Sequence, residues 1–318
     1  MKTLIFVCTM NPEISVVIPT YNEEGNIRPL YDGLHRAFKE LNISSFEIWF
    51  INDGSSDESL ENIKVLSKED DRVKFISFSR NFGHQNALKA GLEHAQGRAV
   101  ISMDADLQHP PSVLSKLIQE WKEGFQVVYT IRKDEKGQSW LKKGTSKGFY
   151  WIVNKMAENT IIPGAADFRL LDRKVVEAIK QFPEKELFFR GLISGLGFKQ
   201  KGIEFNPGKR HSGKTKYSFK RMAKFAIAGI TSSSAKPLYF SIYMGALMAF
   251  VAFAYGTYAI WLALYTDKTV AGWSSIVTSI VFIGGIQLMM MGIIGIYLGK
   301  IFKESKNRPL YIIDEIKK

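Results

Sequence analysis

A chain of 318 residues has room for about two structural units. Its 46% hydrophobic and 23% charged residues, with 26 Gly and 10 Pro, exclude a disordered or collagen-like chain, and the single cysteine, Cys8, excludes a disulfide framework or a cysteine-based zinc site. The net charge of +12 points to anionic partners: nucleic acid, a phosphorylated ligand or a membrane surface.

Leu4 to Val7 are too few apolar residues for a signal-peptide core. Ile14–Ile18 is predicted as a strand ended by Pro19-Thr20, followed by a helix carrying Ile27, Leu30, Leu34, Phe38 and Leu41 on one face. Phe46–Ile51 is the next strand, ending at Asn52-Asp53-Gly54-Ser55, and Asp57 is a candidate cap for a helix reaching Leu66. Strand Val73–Phe78, helix Gln85–Ala95, strand Ala99–Met103, helix Leu114–Trp121 and strand Val127–Tyr129 follow. Repeated strand–helix units argue for a parallel α/β sheet, whose ligands bind at the carboxyl ends of the strands.

Those ends carry the most polar short motifs of the chain: Pro19-Thr20-Tyr21-Asn22-Glu23-Glu24, Asn52-Asp53-Gly54-Ser55-Ser56-Asp57 and Met103-Asp104-Ala105-Asp106. Strand side chains alternate between faces, so Asp104 and Asp106 are expected to point the same way. Two hard carboxylates so placed suit Mg²⁺ or Mn²⁺ shared with a diphosphate. Asp-x-Asp alone is weak and most often a solvated turn; three such polar strand ends in one α/β unit carry more weight. His84, Gln108 and His109 lie near these motifs, each lone histidine reading as structural.

Further on, Gly208-Lys209-Arg210-His211-Ser212-Gly213-Lys214-Thr215 matches the P-loop pattern. A P-loop must follow a buried strand and open a helix, and Gly202 to Pro207 is a poor buried strand. A mobile basic loop is the better reading. Tyr217–Ile230 has the spacing of an amphipathic helix lying in a membrane interface.

Leu238–Thr266 and Trp273–Gly299 are free of charged residues. At about 1.5 Å per residue each reaches roughly 40 Å, enough to span a bilayer core. Glycines such as Gly284, Gly285, Gly292 and Gly295 suit close packing in lipid and allow self-association, while Tyr239, Trp261, Tyr265 and Tyr297 sit where aromatic belts belong. Lysines and arginines flank the outer ends of the pair, whereas Asp267 and Lys268 are the charges of the connecting loop. The positive-inside rule thus puts the N-terminal part and the tail in the cytoplasm, with the plasma membrane implied for a bacterial chain. An anionic leaflet accounts for much of the excess charge, which argues against nucleic acid. The expected organisation is a cytoplasmic catalytic domain over 1–210, a basic loop and interfacial segment over 211–236, two spans over 237–300 and a tail over 301–318.

The run Val16-Val17-Ile18-Pro19-Thr20-Tyr21-Asn22-Glu23-Glu24, with Asn52-Asp53-Gly54-Ser55-Ser56-Asp57 and Asp104-Ala105-Asp106, resembles the signature of family 2 glycosyltransferases with the GT-A fold. Arg80-Asn81-Phe82-Gly83-His84-Gln85, Asp167 to Arg173, the twin spans and Arg308-Pro309-Leu310-Tyr311 make the whole chain similar to polyprenyl-phosphate glycosyltransferases, the group of dolichol-phosphate mannose synthase and bactoprenol glucosyltransferases. The resemblance implies an α/β GT-A domain with a two-helix anchor, and transfer of one hexose from a nucleotide sugar to a polyprenyl phosphate with inversion. By motif position it implies Pro19, Tyr21, Glu23 and Asp53 at the nucleoside, Asp104 and Asp106 at the metal–diphosphate, and Asp167 near the reacting centre. Asp167 would orient the acceptor or accept a proton; a helix cap before Phe168 is the plainer alternative. Arg132, Lys142, Lys143 and Ser146 match the basic stretch that binds lipid phosphate, against a solvated charged face. Arg210, Ser212 and Lys214 would reach the donor pyrophosphate. The Asp167-Phe168-Arg169 run and the His211–Lys214 loop favour UDP-glucose over GDP-mannose or another UDP-sugar. Rival readings are a P-loop nucleotide hydrolase, a non-catalytic membrane scaffold and a processive synthase; the last should carry Gln-x-x-Arg-Trp and more spans.

Overall fold

The computed structural model describes residues 11–110, 112–132, 155, 164–184, 189–206, 234–265 and 272–318. The first part of the chain alternates strand and helix: β1 (Ile14–Thr20), α1 (Ile27–Glu40), β2 (Phe46–Asn52), α2 (Ser59–Glu69), β3 (Val73–Phe78), α3 (His84–His94), β4 (Ala99–Ser102), α4 (Ser112–Lys122) and β5 (Val127–Arg132). Then come β6 (Ala165–Asp172), α5 (Arg173–Lys180), α6 (Phe189–Gly195) and β7 (Gln200–Phe205). Two long helices, α7 (Lys236–Tyr265) and α8 (Trp273–Ser305), precede β8 (Ile313–Lys317).

The strands form one sheet in the order β7-β5-β6-β4-β1-β2-β3-β8. β1 and β2 are buried along their whole length, as near-continuous apolar runs covered on both faces require. Alternation sorts their side chains. Val16, Ile18, Ile48 and Phe50 pack with Leu34 and Phe38 of α1, Ile63 of α2 and Leu114 of α4. Val17, Trp49 and Ile51 face the other way, against Leu88 and Leu92 of α3 and Val176 of α5. Gly91 lets α3 lie close to β1, because a Cβ there would sit 2.1 Å from Val17 Cγ1.

The sheet is mostly parallel, as expected, with β6 and β8 reversed. β1 through β4 are parallel, but β6 runs antiparallel to both β4 and β5, and β8 runs antiparallel to β3. β7 is parallel to β5 at the far edge. Consequently the carboxyl ends of β1–β5 and β7 share one edge of the sheet with the amino ends of β6 and β8. The last residues, assigned to a tail by sequence, supply β8. Their charged composition (Asp314, Glu315, Lys317) suits an exposed edge strand rather than a core one.

Both long helices are apolar and long enough to cross a membrane. Their large side chains, such as Phe250, Phe253 and Leu288, are bare, the reverse of the sheet strands. A soluble core helix would bury them. Tyr297 Oη donates to the Ser234 carbonyl oxygen at 2.7 Å, linking α8 to the approach of α7. The chain leaves β7 at the edge holding the strand ends and returns at that edge into β8. Ser305 and Ile313 are close enough in sequence to lie at most about 27 Å apart.

Candidate active site

The loops after β1 and β2 are tied together. Asp53 N–H donates to the Thr20 carbonyl oxygen at 2.9 Å, and Asn22 N–H to Ser55 Oγ at 3.0 Å. Ser56 N–H returns a bond to Asn22 Oδ1 at 2.9 Å, with Asn22 in the left-handed region at φ 55 that asparagine tolerates. Glu24 N–H donates to Asp57 Oδ2 and Glu58 N–H to Glu24 Oε2, at 3.2 and 3.0 Å. Asp57, expected as a helix cap, also accepts from Ser59 N–H at 3.1 Å. Gly54 is required here: its φ is +66, and a Cβ would meet the Arg80 backbone at 2.4 Å.

That close approach brings the β3–α3 loop over Asp53. The buried Asp53 carboxylate accepts from Phe82 N–H at 2.6 Å and Gly83 N–H at 2.9 Å. Burial pushes its pKa up, and these two bonds only partly oppose the shift. Pro19, Thr20, Tyr21, Asp53, Asn81, Gly83 and His84 line a cleft of about 150 Å³. Three of the four residues assigned to the nucleoside therefore meet. Glu23 instead donates its N–H to Ser59 Oγ at 2.9 Å, and its carboxylate accepts from the Asn26 side-chain amide.

Beside the cleft stand the carboxylates that follow β4. β4 ends at Ser102, so Asp104 and Asp106 lie on a turn and do not converge by strand alternation. Leu107 sits at φ 59, a left-handed conformation unfavourable for a non-glycine residue, and its turn brings His109 beneath the acids. Ligand atoms of Asp104, Asp106 and His109 lie within 4.8 Å of one another. His109 Nδ1 accepts from Asp104 N–H at 3.3 Å, and Asp106 Oδ1 accepts from Gln108 N–H at 3.1 Å. The ring of His109 is 2% exposed and stacks on Phe168 at 4.6 Å, while its Nε2 has no hydrogen-bond partner among the described residues. Burial holds its pKa down against the pull of Asp104 and Asp106. The two hard carboxylates are a donor set that fits Mg²⁺ or Mn²⁺.

Asp167 comes to the same place through β6. The antiparallel register pairs Ser102 with Arg169, which brings Asp167 to the edge where Asp104 follows β4. Ser102 Oγ fixes this by donating to the Asp167 carbonyl oxygen at 2.6 Å. Asp167 is thus a strand residue, not a helix cap; Asp172 caps α5 instead, accepting from Lys174 N–H. Arg190 grips the Asp167 carboxylate with two bonds of 2.9 and 2.8 Å, and the buried Arg169 approaches it at 3.4 Å. Burial alone would raise the Asp167 pKa, but the bonds and charge of Arg190, with Arg169 behind, hold the carboxyl well below the usual range. His84 Nε2 lies 3.6 Å from Asp104 and 3.9 Å from Asp167, bridging the two acids.

Arg132 ends β5 on this edge with its side chain exposed, its N–H held by the Gly164 carbonyl oxygen at 3.0 Å. Lys142, Lys143, Ser146, Arg210, Ser212 and Lys214 lie outside the described residues, as does the amphipathic segment Tyr217–Ile230. The strand before the P-loop-like run, β7, is a mostly half-buried edge strand rather than the buried one a P-loop follows. Sequence reasoning missed Arg190, which no motif flags, and took His84 and His109 as structural. The spacing of His109 three residues after Asp106 was the available signal.

The family model of Glycosyl transferase family 2 matches residues 15–180. A glycosyltransferase of Bacillus subtilis, YkcC, is 44% identical over 303 residues, covering 95% of this chain and 94% of that protein. The bactoprenol glucosyl transferase of Shigella phage SfV is 41% identical over 301 residues, covering 95% and 98%. Among solved structures, glucosyl-3-phosphoglycerate synthase from Mycobacterium tuberculosis with Mn²⁺, UDP and phosphoglyceric acid overlaps 69% of this chain and 76% of that one, at 17% identity and a TM-score of 0.47. On the family match and on the near-full-length identity to these relatives, the chain belongs to glycosyl transferase family 2 and is a glycosyltransferase.

Proposed function

We propose that this enzyme transfers one hexose, glucose from UDP-glucose, to the phosphate of a membrane polyprenyl phosphate with inversion at the anomeric carbon. The observation that carries the reading is topological. The cleft, the acidic cluster and Arg132 occupy the sheet edge from which the chain runs toward two bare apolar helices and to which it returns. An acceptor whose phosphate stays at the bilayer surface needs that placement. Relatives named as bactoprenol glucosyl transferases support the acceptor and the sugar.

Pro19, Tyr21 and Asp53 hold the nucleoside in the cleft, with Glu23 bracing the loop from behind. Asp104 and Asp106 hold Mg²⁺ or Mn²⁺, which when bound neutralises charge on the departing diphosphate. Arg210, Ser212 and Lys214 complete the pyrophosphate contacts. Arg132, with Lys142, Lys143 and Ser146, takes the acceptor phosphate. One of its oxygens attacks the anomeric carbon, and the bond from that carbon to the diphosphate oxygen breaks. The attacking phosphate has a second pKa of about 6, so it is largely dianionic near neutral pH and needs no strong base. Asp167, kept ionised by Arg190, is a poor proton acceptor and serves to orient the reactants. The catalytic domain and both termini lie in the cytoplasm, with the basic segment over 211–236 in the interface.

A donor screen tests this. Purified full-length protein is given polyprenyl phosphate with UDP-glucose, other UDP-sugars or GDP-mannose, with and without chelator. The expected result is a metal-dependent β-linked lipid-phosphate glucose. Preference for another donor would replace the sugar assignment; transfer only to water-soluble acceptors would overturn the lipid reading.

A further inference from the structure

The wall of the cleft formed by Asn81, Gly83 and His84 is held from two sides. On the inside, Asp53 takes the Phe82 and Gly83 N–H groups. On the outside stands the C-terminal segment, which the chain reaches only after α8. Ser79 N–H donates to the Ile312 carbonyl oxygen at 3.1 Å, and Phe78 pairs with Ile313 across the sheet edge. The Tyr311 ring stacks on Phe78 at 4.8 Å and 16°, and Phe78 meets Phe82 edge-on at 5.8 Å and 90°. The Tyr311 hydroxyl donates to the Glu93 carboxylate on α3, whose first residue is His84. Lys89 lies 4.0 Å from the same carboxylate. A continuous set of contacts thus runs Tyr311–Phe78–Phe82–Asp53, and a second runs from Tyr311 through Glu93 along α3.

We infer that Tyr311 is a positioning residue for the donor: seated on Phe78 and Glu93, it fixes the wall of residues 79–84 against Asp53 and so shapes the cleft for a nucleoside diphosphate. The inference rests on the reading of this cleft as the nucleoside site. It also gives β8 a task beyond covering a sheet edge. The tail emerges from the apolar hairpin, so anchoring in the bilayer and the form of the donor cleft are joined through a few residues. An aromatic stack loses its geometry without its ring, whereas the loss of one hydroxyl leaves the stack in place.

The test uses full-length protein in detergent and measures UDP affinity by calorimetry together with the separate KM values for donor and lipid acceptor. Tyr311→Leu keeps apolar bulk on Phe78 but removes the ring. It is expected to weaken UDP binding and raise the donor KM by about tenfold, with the acceptor KM unchanged. Tyr311→Phe keeps the stack and is expected to restore UDP affinity to within about threefold of the unmodified protein. Glu93→Gln, which leaves the ring untouched, should fall with Tyr311→Phe. Unaltered UDP affinity in Tyr311→Leu would overturn the inference. So would equal losses in donor and acceptor KM accompanied by a lower melting temperature, because those mark general destabilisation. If the unmodified protein binds neither UDP nor GDP, the nucleoside reading itself fails.

Discussion

The loops after β1, β2 and β3 are held by hydrogen bonds between backbone N–H groups and side chains, as at Asn22–Ser55, Glu24–Asp57 and Phe82–Asp53. The residues contributed by β5 and β6 present charge: Asp167 sits between Arg190 and Arg169, and Arg132 projects into solvent from a strand end. The first arrangement fixes positions before any ligand arrives and is insensitive to salt. The second responds to the charge that enters it. That difference fits a donor recognised by shape and an acceptor recognised by its phosphate, and it predicts that the two sides fail in different ways.

The junction between the two sides should be the most sensitive point. Asp106→Ala removes half of the acidic pair where the β4 turn meets the cleft. Turnover should fall roughly a thousandfold, equivalent to about 4 kcal/mol of transition-state stabilisation, with the melting temperature preserved. Chelator should do the same to the unmodified enzyme. Full turnover by Asp106→Ala in metal-free buffer would remove the metal from the account.

Asp167→Asn is expected to come next, at roughly a hundredfold in kcat, because Arg190 and Arg169 lose the charge that aligns them and the reacting groups drift. Its pH profile is the sharper readout. Arg190 holds the Asp167 carboxyl well below its usual range, so Asp167 stays ionised throughout the working range. The rate should fall as pH drops through about 6, where the acceptor phosphate gains a proton, and this limb should survive in Asp167→Asn. Loss of the limb in the variant would restore Asp167 as a general base.

Much of the donor side was legible in the sequence, and the reason is local. Ile14–Ile18 and Phe46–Ile51 are apolar runs cut off by Pro19-Thr20 and Asn52-Asp53-Gly54, so strand, end and polar loop are adjacent in the chain. The helix carrying Ile27, Leu30, Leu34 and Phe38 shows its buried face by spacing alone, and the two apolar helices show themselves by the lack of charge. What was hidden depends on pairing between distant segments. Nothing near Asp167 says that β6 runs antiparallel to β4, yet that pairing brings it to the edge where Asp104 follows β4 and turns a candidate cap into a strand residue. Arg190 is legible only once Asp167 is in place. Convergence of Asp104, Asp106 and His109 depends on Leu107 adopting φ 59, which leucine does not advertise. β8 escaped notice because an edge strand with Asp314, Glu315 and Lys317 lacks an apolar run.

Arg132→Ala tests the charged side directly. Its guanidinium is exposed, so its removal should leave the fold and the donor KM alone while raising the KM for polyprenyl phosphate about tenfold, the cost of one charge-assisted contact. The effect should shrink at high salt, since screening weakens the wild-type contact too. A larger rise in the donor KM than in the acceptor KM would move Arg132 to the nucleotide and erase the contrast between the two sides.

The smallest effect is expected outside the site, on the charged clasp at the outer edge of the parallel strands, and it separates stability from function. Burial raises the Asp70 pKa, but hydrogen bonds from the Arg72 side chain and backbone and from Tyr31 Oη outweigh it and hold the carboxyl at about 2. A carboxyl whose pKa is depressed on folding stabilises the fold above its unfolded pKa of about 3.9 and loses that contribution as pH falls through its folded value. With Arg72 partly exposed, solvent screening reduces the contribution to about 1 kcal/mol. Asp70→Asn should therefore lower the melting temperature slightly at pH 5, match the unmodified protein near pH 2, and leave both KM values unchanged. A shift in the donor KM would mean that the outer edge of the sheet also tunes the cleft, and that the hydrogen-bonded side is less rigid than its loop contacts indicate.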